Sequence, residues 1–388
     1  MRKAAVSVAL LALGVIAGAS VLGLGAAGAA QRVSVVLTVR IPKSGAPWLT
    51  DISCATVRDC VAADGTVVEA TLDGGTRWIR ESVAPHYWVD EVSCTATGAC
   101  RGLGLRKGSY QRFMIDDVHS EWVASSGDVD ELEPTAVSEL SCPSSSECVA
   151  VGANNLIGGN ANGYPVWLST DLGGGTASPL ATWRRSLIPF RHGSIIVGLA
   201  SVDCPTTVTC YALADSYDAG ALLLATSTRA ASWRIVRVSQ GGRVPVKELT
   251  NSHFSNVSCA TTTSCTVVGV GPSGQLLILT TTDGGSSWRW TSAPSARGGA
   301  SEYGPPTVSC SSSNVCEVAY ERTLLRSTDG GRHWARTVLV KGDGFLYSLS
   351  CPSDTRCFAT TLVPVGRDGQ ITGFGVGHVL RVKAAQGS

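Results

Sequence analysis

The chain has 388 residues, with 31 Lys and Arg against 30 Asp and Glu, and 44% of its residues are hydrophobic. This length accommodates two or three average domains or one large all-β domain. The balanced charge argues against a nucleic-acid-binding protein, which normally carries a basic excess, and the charged fraction of only 16% argues against disorder.

The N-terminal segment, residues 1–30, has the pattern of an export signal. Arg2 and Lys3 precede an uncharged run over residues 4–30, which ends in the small residues Ala27, Gly28 and Ala29. The run is also long enough to span a bilayer, so a cleaved signal peptide and an N-terminal membrane anchor both remain open. Because the basic residues stay inside in either case, we expect residues 31–388 to be secreted or to lie in the cell envelope.

Fourteen cysteines fall into seven pairs, each with five residues between its members. Metal sites favour shorter spacings, and the six histidines follow no matching plan. Combined with an export signal, the pattern predicts disulfides, with no metal and no other cofactor. The predicted bridges are Cys54–Cys60, Cys94–Cys100, Cys142–Cys148, Cys204–Cys210, Cys259–Cys265, Cys310–Cys316 and Cys351–Cys357.

The cysteine pairs mark an internal repeat, in which the first cysteines recur after 40, 48, 62, 55, 51 and 41 residues. An apolar-x-Cys signature such as DISC or SLSC precedes each pair, and a short apolar strand follows it. A third strand leads into an Asp-Gly-Gly-x-x-Trp turn, whose tryptophan opens a fourth strand. Four short strands at this period predict a β-propeller blade.

The two ends of the chain complement one another. The seventh repeat has three strands and then stops at Ser388, whereas an unassigned β-rich run, Val33–Arg40, precedes the first repeat. We therefore predict an all-β fold over residues 31–388: a monomeric seven-bladed β-propeller of four-stranded antiparallel blades, with one disulfide per blade and the N-terminal strand closing the last blade. Six or eight blades would leave one cysteine pair unexplained.

The repeated turn is predicted to be structural. A short Asp side chain accepts hydrogen bonds from backbone N–H groups two or three residues on, glycines permit the backbone angles, and the indole is buried between blades. Phosphate or metal binding by the turn is disfavoured, since the Asp would repel phosphate and no Gly-Lys-Ser/Thr follows. The residues assigned to this role are Asp73, Trp78, Asp117, Trp122, Asp171, Trp183, Trp233, Asp283, Trp288, Asp329 and Trp334, with Thr228 in the place of Asp in the fourth repeat.

The [ST]-x-D-G-G-x-x-W pattern at 71–78, 281–288 and 327–334 resembles the Asp-box, or BNR repeat. This repeat occurs in sialidases, other propeller glycosidases, sortilin-type receptors and photosystem II assembly-factor propellers. The resemblance implies a turn between the third and fourth strands of a blade, away from any active site. It is specific for a turn and leaves the activity open.

Strand alternation places the disulfide loops and the Asp-Gly-Gly turns on one face of the ring, the turn face. The second-to-third loops and the connections between blades lie on the opposite, loop-rich face, and their lengths vary, as binding loops on a rigid scaffold do. The candidate ligand-binding residues on them are Arg191, His192, Arg243, Lys247, Arg297, Tyr303 and Arg367. Such a cationic, aromatic-containing surface suits an anionic glycan or an acidic protein, although solvated loop residues are the alternative.

Two function classes follow. The first is an exported, non-enzymatic propeller that binds a protein or glycan. The second is a sialidase-like glycoside hydrolase, since Arg40-Ile41-Pro42 resembles the Arg-Ile-Pro element of sialidases. However, Arg40 falls on the predicted outer strand, whereas the arginine of sialidases lies on an inner strand. Sialidases also need a Tyr–Glu nucleophile pair, and the spacing of Tyr303 and Glu302 does not support that role. Finally, sialidases have six blades, whereas seven are predicted here. An assembly factor for a membrane complex is a third idea, from the photosystem II resemblance. An enzyme should place carboxylates and arginines at the central mouth.

Overall fold

The computed structural model describes most of the repeat region. The described residues are 33–40, 49–63, 65–106, 112–118, 121–124, 137–152, 164–169, 183–188, 196–216, 222–236, 252–293, 304–340, 344–367, 370–374 and 378–384. Within these ranges every regular element is a β-strand, which confirms the all-β class. None of the described residues forms a helix that could cross a membrane. The predicted export segment, residues 1–30, lies outside these ranges.

Within the described residues the strands form seven antiparallel sets of four, here called blades. The first strand in the chain is β1 (Val33–Arg40). Blade 1 contains β2 (Asp51–Cys54), β3 (Cys60–Ala63), β4 (Val67–Thr71) and β5 (Ile79–Val83), and blade 2 contains β6 (Tyr87–Cys94), β7 (Cys100–Arg106), β8 (Arg112–Val118) and β9 (Glu121–Ala124). Blade 3 contains β10 (Val137–Ser144), β11 (Glu147–Gly152), β12 (Tyr164–Ser169) and β13 (Trp183–Ile188), and blade 4 contains β14 (Ile196–Asp203), β15 (Cys210–Ser216), β16 (Leu222–Thr226) and β17 (Arg234–Val236).

The remaining blades follow the same order. Blade 5 contains β18 (His253–Cys259), β19 (Cys265–Val270), β20 (Leu276–Thr281) and β21 (Arg289–Ala293), and blade 6 contains β22 (Thr307–Cys310), β23 (Cys316–Tyr320), β24 (Thr323–Ser327) and β25 (Ala335–Val338). Blade 7 contains β26 (Phe345–Ser353), β27 (Arg356–Leu362), β30 (His378–Ala384) and β1, and a separate hairpin is formed by β28 (Pro364–Arg367) and β29 (Gln370–Phe374).

The N-terminal strand completes the last blade. Strand β1 runs antiparallel to β30, with Val33 opposite Ala384 and Arg40 opposite His378, and the strand order is β1-β30-β27-β26. The pairing satisfies the edge of β30, which would otherwise be exposed. The two ends of the repeat region are therefore held in one sheet, as the sequence predicts.

Two features differ from the predicted scheme. Blades 1 and 2 merge into one eight-stranded sheet, because the outer strands β5 and β9 pair in parallel, with Val83 opposite Trp122. The Trp122 indole N–H donates to Glu81 Oε2 at 2.7 Å and holds these strands together. The connection between β27 and β30, one of the second-to-third loops expected from the sequence, contains the β28–β29 hairpin instead. The sequence between those strands reads Asp-Gly, the pair that two-residue hairpin turns favour.

The hydrophobic core consists of layers between consecutive sheets. The apolar residue of each apolar-x-Cys signature lies in such a layer: Ile52, for example, packs with Phe358 and Val379 between blades 1 and 7. All fourteen cysteines are bridged within their own blade, which confirms the seven predicted disulfides. Seven bridges in one chain are characteristic of a protein that folds in an oxidising, extracytoplasmic compartment.

Candidate functional site

The first strand of each blade contributes at least one polar side chain to a common central cavity. Because side chains alternate along a strand, the apolar residue two positions before the first cysteine packs between sheets, and its neighbours point the opposite way. The residues one position before that cysteine are Ser53, Ser93, Ser141, Asp203, Ser258, Ser309 and Ser350. The residues three positions before it are Asp51, Glu91, Glu139, Ser201, Asn256, Thr307 and Ser348.

The residue directly before the cysteine ties each blade to the next. Its side-chain oxygen accepts a hydrogen bond from the backbone N–H of the first cysteine in the following blade, at distances from 2.6 to 3.0 Å. The pairs are Ser53 with Cys94, Ser93 with Cys142, Ser141 with Cys204, Asp203 with Cys259, Ser258 with Cys310, Ser309 with Cys351 and Ser350 with Cys54. The series runs from each blade to the next and from blade 7 back to blade 1, so the inner edge of every sheet receives an acceptor.

The second row, three positions before the cysteine, makes contacts of the same kind. Asp51 Oδ2 accepts from Val92 N at 2.8 Å, and Asn256 Oδ1 accepts from Val308 N at 2.9 Å. Glu139 Oε1 also accepts from Asn256 Nδ2 at 3.3 Å, a contact between blades 3 and 5. Polar side chains of non-adjacent blades therefore meet inside the cavity.

The cavity has a volume of about 320 Å³ and is lined by residues of all seven blades. Four carboxylates belong to its lining: Asp51, Glu91, Glu139 and Asp203. No arginine or lysine of the described ranges lines it. The described lining thus contains carboxylates, as a sialidase site does. The arginines that would bind a substrate carboxylate are not among the described lining residues.

Three of these carboxyl groups have raised pKa values. Burial raises the pKa of Glu139 to about 8, the charges of Asp51 and Asp203 add to the effect, and the Ser201 hydrogen bond opposes it. Burial also raises the pKa of Asp203 to about 6, against hydrogen bonds from the Cys259 and Cys204 backbone. The pKa of Asp51 is raised by burial too. At neutral pH Glu139 therefore carries a proton, and it can act as a hydrogen-bond donor or as an acid.

The turn face is built from a repeated docking of loop onto turn. In blade 1 the backbone N–H of Gly74 donates to Arg58 O at 2.9 Å, and in blade 5 that of Gly284 donates to Thr263 O at 2.9 Å. The disulfide loop and the Asp-Gly-Gly turn of one blade therefore lie side by side. This arrangement places them on one face, as strand alternation requires.

The turn itself is closed by its aspartate. Asp329 Oδ1 accepts from the backbone N–H groups of Arg332 and His333, both at 3.0 Å, three and four residues on. Asp73 does the same in blade 1, where both turn glycines have positive φ, 75° for Gly74 and 79° for Gly75. A Cβ on Gly75 would lie 2.9 Å from the Phe358 ring of blade 7, so glycine is also needed for close packing between blades.

The tryptophans of these turns lie in the layers between blades. Trp288 is buried among residues of blades 4 and 5, and its indole N–H donates to Gly285 O at 3.2 Å. Blade 2 departs from the predicted pattern, because Asp117 lies within strand β8 and pairs directly with Trp122 of β9. Trp183 begins β13, whereas Asp171 lies outside the described residues.

Most of the candidate loop residues fall outside the described part of the chain. This applies to Arg191, His192, Arg243, Lys247, Arg297 and Tyr303. Arg367 ends strand β28, in register with Gln370 of β29. Arg40 lies on β1 at the outer edge of blade 7, away from the inner strands that line the cavity, while Glu302 is outside the described ranges.

The central carboxylates were not among the sequence candidates, which came from loops of variable length. The signal for them was nevertheless present. In all seven repeats, polar residues stand on both sides of the apolar residue in the apolar-x-Cys signature. In a strand whose alternate face packs against a neighbouring sheet, two further polar positions per repeat must face away from that packing layer.

Comparisons with known proteins identify the fold. No protein-family model matches the sequence, and no curated protein matches it. Among solved structures, one described as "YCF48 bound to D1 peptide" is similar with a TM-score of 0.55 and 13% identity, over 90% of this chain and 95% of that one.

Two further structures share the fold. The RRP9 WD40 repeats give a TM-score of 0.54 and 11% identity, over 91% of this chain and 99% of that one. A GH74 xyloglucanase from Xanthomonas campestris gives 0.51 and 12%, over 86% of this chain and 53% of the enzyme. These proteins are β-propellers, and with its four-stranded blades this chain has a β-propeller fold.

Proposed function

We propose that this protein is an exported, non-enzymatic binding propeller that engages a protein or glycan through its loop-rich face. The observation that carries the proposal is the contrast between the two faces. On the turn face, blades 1, 4, 5 and 6 repeat the same hydrogen bond between the disulfide loop and the turn. Most long connections, such as residues 237–251 between β17 and β18, belong by strand order to the other face, and the exception is residues 170–182 between β12 and β13. Variation concentrated on one face is typical of a binding surface on a fixed scaffold.

The scaffold in this proposal is a closed, seven-bladed Asp-box propeller over residues 31–388, monomeric and extracytoplasmic. Its closure is supported by the hydrogen bonds that return from blade 7 to blade 1, such as Cys54 N to Ser350 Oγ at 3.0 Å. The export segment, residues 1–30, delivers it as a cleaved signal peptide or holds it at the membrane. Among similar structures, one is described with a bound peptide, which makes a protein ligand the first to test.

The cationic candidates and the acidic centre fit one binding surface. Each inner strand begins on the loop-rich face and ends at its disulfide loop, so the row containing Asp51, Glu91 and Glu139 is the row nearer that face. A ligand that reaches past Arg191, Arg243 and Arg297 would meet these carboxyl groups. An acidic glycan or protein segment would bind the rim, with its hydroxyl or amide groups towards the centre.

The test is capture of a partner from cell-envelope extract by the chain without residues 1–30. We expect a partner that is retained by the wild type and lost when Arg191, Arg243 and Arg297 are changed together to Ala. The matched control changes Arg58 and Arg77, exposed arginines of the turn face, to Ala and should retain the partner. Equal capture of the partner by both variants would refute binding through the loop-rich face. Failure of the wild type and both variants to capture any partner would refute it too.

A second candidate is a glycoside hydrolase, favoured by one observation: Glu139 is protonated at neutral pH in a cavity that it shares with Asp51 and Asp203. Glycoside hydrolysis requires one protonated and one ionised carboxyl group on either side of the scissile bond. The candidate predicts turnover of a reporter sialoside or of xyloglucan that is abolished by Glu139→Gln and unaffected by Arg40→Ala. Absence of turnover in the wild type, or turnover that survives Glu139→Gln, would eliminate it.

A further inference from the structure

Four of the seven junctions between neighbouring blades are tied on the turn face through one backbone carbonyl, that of the third residue after the first cysteine. At four junctions a long side chain of the preceding blade donates to this carbonyl. These bonds are Arg356 Nη1 to Val57 O (3.0 Å), Arg101 Nη2 to Ser145 O (2.9 Å), Tyr211 Oη to Thr262 O (2.7 Å) and Arg326 Nη2 to Asp354 O (2.5 Å). A long donor both caps the carbonyl and fills the space between the two blades.

The junction between blades 5 and 6 departs from this rule. The carbonyl there belongs to Ser313, and its donor is the short Ser264 hydroxyl at 3.5 Å. Thr266 occupies the position after the second cysteine, where blade 4 has Tyr211. A groove of about 440 Å³ lies open at this junction, and Ser264 and Ser313 are among its lining residues.

The groove is polar and carries free donors. Arg289, at the start of β21, and Arg332, in the turn of blade 6, line it and are exposed. Neither guanidinium has a hydrogen-bond or ion-pair partner among the described residues, and the same holds for the side chains of Thr282, Asn314 and Thr328 beside them. Two guanidinium groups and three polar side chains that have no partner among the described residues thus line one groove.

The carboxylate in the groove does not neutralise these arginines. Asp329 accepts from Ser327 Oγ at 3.0 Å and from His333 Nδ1 at 2.6 Å, besides the two backbone N–H groups of its turn. Its oxygens are therefore occupied by its own turn. Counting Asp329 against Arg289 and Arg332, the groove keeps one net positive charge.

We propose that this groove binds a carboxylate-bearing sugar residue, such as a uronic acid in an acidic polysaccharide. A guanidinium pairs with a carboxylate through two parallel hydrogen bonds, and hydroxyl and amide side chains suit the hydroxyl groups of a sugar ring. The volume lies within the usual range for small-ligand sites. The site is on the turn face, so it is distinct from the proposed binding surface on the loop-rich face and stands or falls separately.

The test is titration of the purified chain with trigalacturonate, with neutral maltotriose as the control ligand, by calorimetry. We expect trigalacturonate to bind at least tenfold more tightly than maltotriose. The double variant Arg289→Gln/Arg332→Gln should lose at least tenfold in affinity for it. Arg77→Gln, at an exposed arginine of the equivalent turn in blade 1, should bind as the wild type does.

A second variant tests the geometry of the groove. Thr266→Tyr places at this junction the residue that blade 4 uses, so its hydroxyl should reach the Ser313 carbonyl, as that of Tyr211 reaches Thr262 O, and should abolish binding. The melting temperature shows whether the buried position of Thr266 accepts the larger side chain. Both arginines are exposed, so the double variant should fold, and it decides the matter if Thr266→Tyr does not. No binding by the wild type, equal binding of maltotriose, or unchanged affinity in the double variant would overturn the proposal.

Discussion

The central cavity and the outer turns use aspartate in opposite ways. Asp203 accepts the Cys259 backbone N–H at 2.6 Å, yet burial raises its pKa to about 6. In the turn of blade 6, burial acts on Asp329 too, but hydrogen bonds from His333, Ser327 and Arg332 outweigh it and lower the pKa to about 2. Both carboxyl groups accept backbone N–H groups, so the extent of burial decides the direction of the shift.

The difference gives the two regions opposite pH dependence. A group whose pKa is raised by folding stabilises the fold most when it is protonated, and a group whose pKa is lowered does so when it is ionised. The central carboxyl groups therefore stabilise the fold most at moderately low pH, where they are protonated. The turn aspartates stabilise it at higher pH, where they are ionised. Replacing the titratable groups of one region should remove that region's contribution to the pH dependence of stability.

The largest expected effect is at the centre. Folded Glu139 holds a proton up to about pH 8, whereas an unfolded glutamate releases it near 4.5, so the free energy of unfolding should fall as pH rises between these values. The loss should be on the order of 4 kcal/mol. Chemical denaturation of the wild type and of Glu139→Gln at pH 4.5, 6 and 8 measures it.

The Glu139→Gln variant should show a much flatter profile, because Gln does not titrate. Asp203→Asn should remove a smaller part of the slope, between pH 3.8, where an unfolded aspartate releases its proton, and about pH 6. A wild-type stability that rises with pH over this range, or an unchanged slope in Glu139→Gln, would contradict the assignment of a protonated centre.

The next effect is at the turn of blade 6. Asp329→Ala removes the acceptor of two backbone N–H groups and should lower the free energy of unfolding by about 1–3 kcal/mol at pH 7. In the wild type this contribution is present above about pH 3.8 and is lost as pH falls towards 2, since the folded pKa is the lower one.

Its controls lie within the repeat. Asp283→Ala should cost a similar amount, because Asp283 Oδ1 accepts from Ser287 N at 2.8 Å in the matching turn of blade 5. Asp329→Asn keeps one side-chain oxygen and should cost less than Asp329→Ala. If Asp329→Ala melts at the wild-type temperature at pH 7, the turn aspartate does not stabilise the blade.

The sequence predicts these two regions unequally. The turn is local: Ser327, Asp329 and Trp334 lie within eight residues, so their pattern suffices to predict a structural turn. The centre joins Asp51, Glu139 and Asp203 from three blades. The polar positions beside each apolar-x-Cys residue indicate that such side chains face one cavity, but no local pattern indicates that their pKa values rise. The strand Val33–Arg40 was predictable because a seventh blade with three strands lacks only one.

The degenerate turn of blade 4 shows the limit of the local pattern. Thr228 stands where the turns of blades 1, 5 and 6 have Asp, and Arg229 and Ala230 stand where those turns have glycines. Both nevertheless have positive φ, 53° and 55°, a conformation that costs an L-residue about 1–2 kcal/mol. An ion pair from Arg229 Nη2 to the buried Glu147 of blade 3, at 2.5 Å, helps to hold it. Neighbouring blades thus impose the turn where its own residues no longer favour it.

The smallest expected effect tests this conclusion directly. Ser232 N donates to Thr228 Oγ1 at 3.0 Å, the bond that an aspartate makes in the intact turns. Thr228→Asp replaces a hydroxyl acceptor by a carboxylate, whose hydrogen bonds are stronger, and should raise the free energy of unfolding by about 0.5–1 kcal/mol at pH 7. The gain should vanish below pH 3, and Thr228→Asn should show a smaller gain without that pH dependence. A loss of stability in Thr228→Asp would mean that the turn of blade 4, with Arg229 and Ala230 in place of glycines, cannot place an aspartate as the turns of blades 5 and 6 do.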